Sequence, residues 1–584
     1  ITTYSPSHQA RMFGFFWKWL QEIWRHCINI ALCGRLGFFK KMGLPDHDRK
    51  AARKGQKTGT ATERVHIPNS FFLLSDEVQI QIASFLPGYE AGHLAATAIS
   101  ASETIREGRL WQHYLRQEFP GALGVHFNSG SGEAGGAEEA PISTYKYLHR
   151  LPKSDTIRWR FVDSDHDLGG REGSPGMFSL SGWLFVFGGW GHGPQQDLHA
   201  AKLGQERLRF EEIDIATEIT APPRPSYESK ITLLLDQDVD SEEALLSKRP
   251  LNEGESLRAK VLVSGGFLHG GYRNAFGGFG IFEITITGGM DEKISAQWLH
   301  VGAMEPRSNH SATFIPPRVA GAERFPEGYL LVVGGNSAGR VTRDVTILDL
   351  HTLVWNGTLD DIGSGVEPRS RNSHSATLLR YPHTRGDETQ GSFRYGVLVV
   401  GGGDGDGTNG SPPHGGEDLT DSWWILGLES GGAVLHWEEA CKWSLLTLNA
   451  AGRGHVGLRL GPTNSVLAWS GGNPSSACAM VLTGNSWHAV SLASSPGPIP
   501  RAFGSSCCLP DGTIVIYGGW NPSGRTFEHF WFGYLGAEAP PTFARLPART
   551  GSANERHPEQ ASPAVINIDA RLLRQLFRER GGTR

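Results

Sequence analysis

Residues 330–335 read LLVVGG, and residues 344–350 read DVTILDL. The aliphatic and β-branched residues predict two short β-strands, and the glycine pair predicts a turn between them, since glycine adopts backbone angles that other residues avoid. An apolar strand running into a glycine pair occurs six times, and the second glycines are Gly189, Gly266, Gly335, Gly402, Gly472 and Gly519. Intervals of 77, 69, 67, 70 and 47 residues separate these glycines, which fits a repeated unit of about 50 residues with loop insertions.

Side-chain size varies regularly within the repeated unit. Small residues precede the apolar strand, as in the SAT of residues 311–313 and of residues 375–377. A later strand in most units carries a tryptophan, and these residues are Trp298, Trp355, Trp437 and Trp487. Sheets arranged as wedges around an axis need small residues where the inner strands crowd together and bulky residues outside. The pattern therefore predicts a mainly β fold, a six-bladed β-propeller over about residues 156–548.

A propeller ring is closed by pairing strands from the two ends of the repeat region. The sixth unit has no tryptophan strand after Tyr534, and the segment 156–163 before the first unit contains Trp159. Pairing that segment into the last blade would remove a free sheet edge, so we expect it to close the ring. The alternative is closure by residues 542–548 from the C-terminal side.

The six units resemble Kelch repeats in the glycine pair and in the trailing tryptophan, over about two thirds of the chain. Unit five departs from the pattern, because it begins with the shortened GRGH of residues 452–455, and units one and six lack the histidine. The resemblance implies a propeller whose loops bind a ligand.

An arginine stands near the start of each predicted inner strand, as in the EPRSNHSATF of residues 305–314. The six arginines are Arg171, Arg224, Arg307, Arg371, Arg453 and Arg501, and the histidines that follow three of them are His310, His374 and His455. A hydrolase needs one complete set of nucleophile, base and orienting acid, whereas this chain repeats a partial set. We expect a structural role, in which the arginines bind loop carbonyls between neighbouring blades. The alternative is a ring of positive charge that meets acidic segments of a substrate.

A second pattern precedes the propeller, at residues 68–120. The segment LSDEVQIQIASFLP, residues 74–87, places Ser75 where it can cap a helix whose first turn is acidic. This region looks like an F-box, although Ser75 stands where proline is usual and Glu103 near where tryptophan is usual. The resemblance implies adaptor-binding residues, which are Leu74, Asp76, Glu77, Val78, Ile82, Phe85, Leu86, Pro87, Leu94, Leu110 and Trp111. The alternative is a free-standing three-helix domain whose apolar residues fill its own core.

An F-box followed by a Kelch propeller implies a non-catalytic substrate receptor of an SCF-type (cullin–RING) ubiquitin ligase. The F-box would dock on the Skp-type adaptor, and one propeller face would bind the protein to be modified. Exposed tryptophan and arginine are frequent anchors of protein interfaces, so we expect substrate-binding residues on the loops. These residues are Trp190, His192, Arg273, Arg340, Trp520 and Arg525. The alternatives are a Kelch scaffold without a role in ubiquitylation and a propeller enzyme.

Composition restricts the remaining partners. A net charge of −5 argues against nucleic acid as the main partner. The six cysteines include no CxxC pair, so neither a disulfide framework nor a zinc site is expected, and the cytosol or the nucleus is the expected compartment. No metal or cofactor is expected, because the acidic loop 401–421 lacks EF-hand spacing and GGFGIF at 277–282 lacks the context of a phosphate-binding loop.

The other segments are predicted to be peripheral. Residues 1–67 form a basic and aromatic extension, in which charges interrupt the apolar stretch 12–39, so a membrane-spanning helix is not expected. Mixed basic and aromatic residues there also fit a helix on a membrane surface. Residues 121–155 are predicted to be a linker, and residues 549–584 a tail with a short amphipathic helix.

Overall fold

The computed structural model of the protein describes residues 108–119, 122, 139–162, 168–205, 208–218, 222–239, 241–268, 275–290, 292–356, 368–381, 395–405, 418–419, 421–428, 435–441, 452–469, 479–483, 486–492, 497–520, 526–536, 539–540, 542–543 and 546. The chain divides into two compact units, Ile1–Leu110 and Trp111–Arg584. Within the described ranges no helix combines the length and the apolar character that crossing a bilayer requires. The extension 1–67, the first 40 residues of the F-box-like region and the tail from residue 549 lie outside these ranges.

Among the described residues two helices precede the sheets, α1 (Gly108–Glu118) and α2 (Glu139–Arg150), and a 3₁₀ turn, Leu151–Lys153, follows them. The ring of Tyr145 in α2 lies 5.1 Å from the ring of Trp111 in α1. Leu151 is buried in the hydrophobic core of the last sheet described below. The predicted linker 121–155 therefore contains a helix in its second half, because α2 covers the aromatic residues of α1.

The strands form five sheets, and β1 (Thr156–Val162) precedes all the others. The first sheet has the order β2–β3–β4–β5 and contains β2 (Gly176–Leu180), β3 (Trp183–Trp190), β4 (Pro194–Lys202) and β5 (Phe210–Ile213). The second sheet has the order β6–β10–β9–β8–β7 and contains β6 (Ile215–Thr217), β7 (Lys230–Leu233), β8 (Ser256–Ser264), β9 (Gly278–Thr287) and β10 (Lys293–Ala303). A short helix, α3 (Glu242–Leu246), lies between β7 and β8.

The third sheet contains β11 (Arg307–Ser308), β12 (Ser311–Ile315), β13 (Tyr329–Ser337), β14 (Arg340–Asp349) and β15 (Trp355–Asn356), with β11 and β12 both paired to β13. Helix α4 (Pro317–Ala320) follows β12. The fourth sheet has the order β16–β17–β18–β19 and contains β16 (Ser375–Arg380), β17 (Tyr395–Val400), β18 (Ser422–Leu426) and β19 (His436–Cys441).

The eight-stranded sheet has the order β20–β21–β22–β23–β1–β26–β25–β24. Its remaining strands are β20 (Val456–Arg459), β21 (Ser465–Trp469), β22 (Ala479–Thr483), β23 (Ser486–Leu492), β24 (Ser505–Cys508), β25 (Ile514–Tyr517) and β26 (Phe530–Leu535). Strand β1 pairs with β23 in parallel and with β26 antiparallel.

The sheets are arranged in a propeller-like ring. The strands that begin the repeated units contact one another in chain order, and the last contacts the first, which gives the closed series β2, β7, β12, β16, β20, β24 and back to β2. The small residues of the two SAT segments lie in β12 and β16, both members of this inner ring. The sequence prediction of a mainly β, propeller-like fold is confirmed.

Strand β1 closes the ring, as the sequence predicted. It pairs with β26 from Ile157 opposite Leu535 to Val162 opposite Phe530. The competing segment near residue 543 does not join the sheet among the described residues. Instead Arg160 of β1 donates hydrogen bonds to the carbonyl oxygens of Phe543 and Leu546, at 3.1 and 2.5 Å.

The predicted outer tryptophans pack between sheets. Trp298 lies in β10, is 3% exposed, and places its ring 5.1 Å from that of Phe282 and 6.4 Å from that of Phe187 in the first sheet. Trp355 in β15 donates its indole N–H to the carbonyl oxygen of Ala303 in the second sheet, at 2.9 Å. These large rings fill the space that opens between wedge-shaped sheets away from the axis, and burying each contributes on the order of 2–3 kcal/mol.

Candidate functional site at the mouth of the central channel

The glycine pairs are required by close contacts between backbones. Gly334 and Gly335 have φ angles of 58° and 93°. A Cβ atom on Gly334 would lie 2.6 Å from the carbonyl oxygen of Arg371 in the next sheet, and one on Gly335 would lie 2.5 Å from that of Ser308. The N–H of Gly335 donates to the same Arg371 carbonyl at 2.8 Å. Gly266 and Gly519 donate in the same way to the carbonyl oxygens of Arg307 and Arg171, at 2.8 Å, so these glycine pairs join their own sheet to the next one.

A cycle of backbone hydrogen bonds surrounds the axis where the inner strands begin. Its N–H donors all have positive φ, and they are Ser174, Glu228, Asn309, Ser373, Gly454 and Phe503. Each donates at 2.7 to 3.3 Å to a carbonyl oxygen just before the adjacent inner strand. The acceptor is the counterpart residue in five cases and Gly173, next to Ser174, in the case of Glu228, and Ser174 closes the cycle by donating to Phe503. We call the opening inside this cycle the mouth. Its geometry is built from main-chain groups, so side chains there are free to differ.

Four of the repeated arginines occupy one structural position. The guanidinium groups of Arg171, Arg307, Arg371 and Arg501 donate to the carbonyl oxygen of the first glycine in their own sheet, at 2.8 to 3.2 Å. Contact with the neighbouring sheet runs instead through the arginine carbonyl, as it does for Arg371 and Gly335. The expected structural role is confirmed, but the predicted side-chain bonds between blades are replaced by these two separate contacts.

Arg224 and Arg453 do not share that position. Arg224 is exposed, and Ser226 takes its place by donating to the carbonyl oxygen of Gly265 at 2.9 Å. The guanidinium of Arg453 lies against Gly403 of the preceding sheet. The register explains both cases. Arg224 comes two residues before the position that the other arginines share, and Arg453 comes one residue after it.

Arg171 and Arg371 are neutralised by aspartates that the sequence pattern did not identify. Arg171 is held by both carboxylate oxygens of Asp197, at 2.7 and 2.5 Å, and Arg371 is held by Asp421 at 3.1 Å. Burial alone would raise the pKa of Asp197, but hydrogen bonds from His199 and Arg171 lower it well below its usual value. A usable signal exists, since Asp197 and Asp421 each come just before the apolar run that follows the glycine pair of their unit.

Three buried histidines connect consecutive sheets. The Nε2 atoms of His310, His374 and His455 lie 2.9 Å from the hydroxyl oxygens of Ser264, Ser311 and Ser375, each in the preceding sheet. Nδ1 of His455 lies 3.0 Å from the carbonyl oxygen of Gly452, so a neutral ring donates there and accepts at Nε2 from Ser375. Burial lowers the pKa of all three rings, that of His455 to about 4.

We expect acid to weaken the ring through these histidines. In the unfolded chain these histidines bind protons below about pH 6.5, whereas in the folded chain their lowered pKa values keep them neutral. The free energy of unfolding therefore falls as the pH falls from 7 to 5. For His455 the loss is about 2 kcal/mol. Glu228 opposes it, because burial raises the pKa of that carboxyl to about 7. Urea unfolding at both pH values should show that His455→Gln reduces the loss by about 2 kcal/mol, whereas His192→Gln, at an exposed position, leaves it unchanged.

The predicted substrate-binding residues divide into two groups. Trp190 and Trp520 are half-buried, with the ring of Trp190 4.8 Å from Tyr227 and that of Trp520 stacked on Phe503 at 6.5 Å. His192 is exposed in the turn that follows β3, and Arg340 is exposed as the first residue of β14. Arg273 and Arg525 lie outside the described residues.

The two tryptophans lie at one junction of the ring. Glu172 pairs through its backbone with Trp190, and Thr526 pairs with Trp520. The hydroxyl of Thr526 donates to the carboxylate of Glu172 at 3.3 Å, which links the eight-stranded sheet to the first sheet. Glu172 and Thr526 thus link the strand that carries Trp190 to the segment that carries Trp520.

A cavity of about 240 Å³ lies at the mouth, lined by residues from all the inner strands.

A second cavity, of about 330 Å³, lies where the inner strands end. Residues 235–238, which we call the strap, line this second cavity and follow β7. Asp238 of the strap accepts a hydrogen bond from Arg459 of β20 at 2.6 Å, and Asp236 accepts one from Arg318 of α4 at 3.1 Å. Because β20 lies opposite β7 in the ring, the strap crosses the far end of the channel.

Among the described residues no cluster of histidine, cysteine and carboxylate side chains is suited to a metal ion. Of the residues predicted to bind an adaptor, Leu110 and Trp111 lie in α1, and the nine from Leu74 to Leu94 lie outside the described ranges.

No protein-family model matches the chain, and no curated protein matches it significantly. The fold and the site define a mainly β protein with a propeller-like ring of sheets around a narrow polar channel.

Proposed function

We propose that the protein is the substrate-recognition subunit of an SCF-type ubiquitin ligase. The F-box-like residues 68–120 dock on the Skp-type adaptor, and the propeller holds the protein that the cullin–RING ligase modifies. The function requires no active site in this chain, because the gain is a raised effective concentration of substrate near the ligase. The observation that carries the proposal is the F-box-like pattern standing directly before a propeller-like ring.

We further propose that the ring has six Kelch-type blades. Two observations support this count. The inner ring contains the six strands β2, β7, β12, β16, β20 and β24, and the eight-stranded sheet consists of two four-stranded antiparallel halves joined by the parallel pairing of β1 with β23. One half would be the fifth blade, and the other, completed by β1, the sixth.

The C-terminal end of the F-box-like region packs on the helix that leads into the sheets. Trp111, the last of the predicted adaptor-binding residues, is 1% exposed and packs on α2. Leu151 directly follows α2 and is buried in the core of the eight-stranded sheet. The last residue of the predicted adaptor-binding set is thus connected to the eight-stranded sheet through α2, within one compact unit.

Capture of purified adaptor by the full chain tests the proposal. We expect the parent chain to retain the adaptor and Leu74→Asp with Ile82→Asp to lose it, because the charges would face an apolar docking surface. Arg340→Ala, at an exposed position on the propeller, should retain the adaptor as fully as the parent. A parent chain that fails to retain the adaptor would refute the ligase role and leave the Kelch scaffold, or a propeller enzyme, as the explanation of the fold.

A further inference from the structure

The mouth cavity contains one cationic side chain in otherwise uncharged surroundings. Of its described lining residues, Lys230 of β7 alone carries an ammonium or guanidinium group. The cavity wall also includes seven serines, which are Ser174, Ser229, Ser311, Ser373, Ser375, Ser505 and Ser506. A lysine and a ring of hydroxyl groups are the donors that recognise oxygen anions.

The ammonium of Lys230 reaches towards the axis. Its charge lowers the pKa of His310, His374 and His455, although burial is the larger cause for each. These histidines belong to the third, fourth and eight-stranded sheets, whereas Lys230 belongs to the second. A charge that acts on three other sheets lies well inside the ring.

No protein group neutralises this ammonium directly. Among the described residues Nζ of Lys230 makes no hydrogen bond or ion pair, and it remains accessible from the cavity. Glu228 attracts the ammonium, but its carboxyl is 5% exposed and already accepts a hydrogen bond from the side-chain amide of Asn309. Burial raises the pKa of this carboxyl to about 7, so it supplies only part of a counter-charge. An ammonium taken out of bulk water without a full counter-charge is costly, so it either loses its proton or acquires an anion.

We propose that the mouth of the channel binds a small oxyanion, held by Lys230 and by the serine hydroxyls around it. The cavity of about 240 Å³ has room for such a group and several waters, since one water occupies about 30 Å³ of liquid. The oxyanion is either free phosphate or the carboxylate of an acidic side chain on a bound protein. The second source rests on the proposed function, whereas the first does not.

Calorimetric titration of the full chain with sodium phosphate, against sodium chloride at equal ionic strength, tests the site. We expect saturable phosphate binding that Lys230→Met weakens at least tenfold and Lys230→Arg retains. Lys260→Met is the matched control, because Lys260 lies in β8 with an exposed ion pair to Glu327 at 3.0 Å, and it should bind as the parent does. N-acetylaspartate amide, compared with N-acetylasparagine amide, tests the carboxylate source.

Equal binding by the parent and Lys230→Met, or no binding of either anion by the parent, would overturn the proposal. If Lys230→Met does not fold, reductive methylation of the parent gives the answer, because phosphate should protect Lys230 at least tenfold and leave Lys260 unprotected. The proposed ligase function fails separately, through loss of adaptor capture by a chain that still binds phosphate.

Discussion

Replacing Trp111 with alanine should lower the free energy of unfolding of the α1–α2 pair by about 3–5 kcal/mol. The indole is 1% exposed, and its ring lies 5.6 Å from Tyr114 and 5.1 Å from Tyr145. Alanine would leave a cavity that two short helices cannot close. Hydrogen exchange of α1 amides under native conditions measures the loss, and the amides of the inner strands should keep their protection.

Arg116→Ala is the control on the same helix. Its side chain is exposed, so the change should stay within about 0.5 kcal/mol. Equal exchange rates in Trp111→Ala and Arg116→Ala would mean that the aromatic contacts between α1 and α2 do not hold the pair together.

Replacing Arg371 with methionine should lower the free energy of unfolding of the propeller by about 3 kcal/mol. The arginine is 1% exposed, and its guanidinium holds both the carbonyl oxygen of Gly401 and the carboxylate of Asp421 at 3.1 Å. Methionine fills similar space but removes the donor to Gly401 and leaves Asp421 with the indole N–H of Trp423 and no cation. Breaking a buried ion pair typically costs 3–5 kcal/mol. The lower end applies because the Asp421 side chain is 29% exposed.

Arg224→Met provides a matched control, because Arg224 is the corresponding arginine of another repeated unit. The sequence treats Arg224 and Arg371 alike, but Arg224 is exposed and should contribute less than about 0.5 kcal/mol. Urea unfolding curves of the two variants measure the difference. A similar loss in both would contradict the assignment of Ser226, and not Arg224, to the arginine position.

The repeat made the architecture predictable, because its signals are local. Gly334 and Gly335 mark where backbones meet, and Trp298 marks where sheets diverge. Closure by the Trp159 strand also followed, since the sixth unit lacked an outer strand. The exact register did not follow: the loop before β7 shifts Arg224 by two residues, and no local signal shows where an equivalent position lies once a loop changes length.

The site was less predictable than the fold. Glu172 and Thr526 link the segments that carry Trp190 and Trp520, and predicting this link requires knowing which sheets are neighbours. The sequence did not predict a binding role for Lys230, because lysines are common in exposed strands. Only the folded ring shows that Lys230 lines a cavity. The bond between Asp238 and Arg459 joins residues 221 positions apart, and charge pattern alone does not pair such residues.

The closing strand β1 has a consequence for the order in which the protein is made. Arg158 in β1 and its partner Tyr534 in β26 are 376 residues apart. At 5–20 residues per second, a ribosome needs roughly 20–75 seconds to supply that partner after β1 emerges. During this interval β1 has an unpaired edge, and the ring stays open until the residues of β26 have been synthesised. A transcript truncated before residue 530 would therefore yield a chain with a permanently exposed strand, a direct substrate for chaperones and proteases.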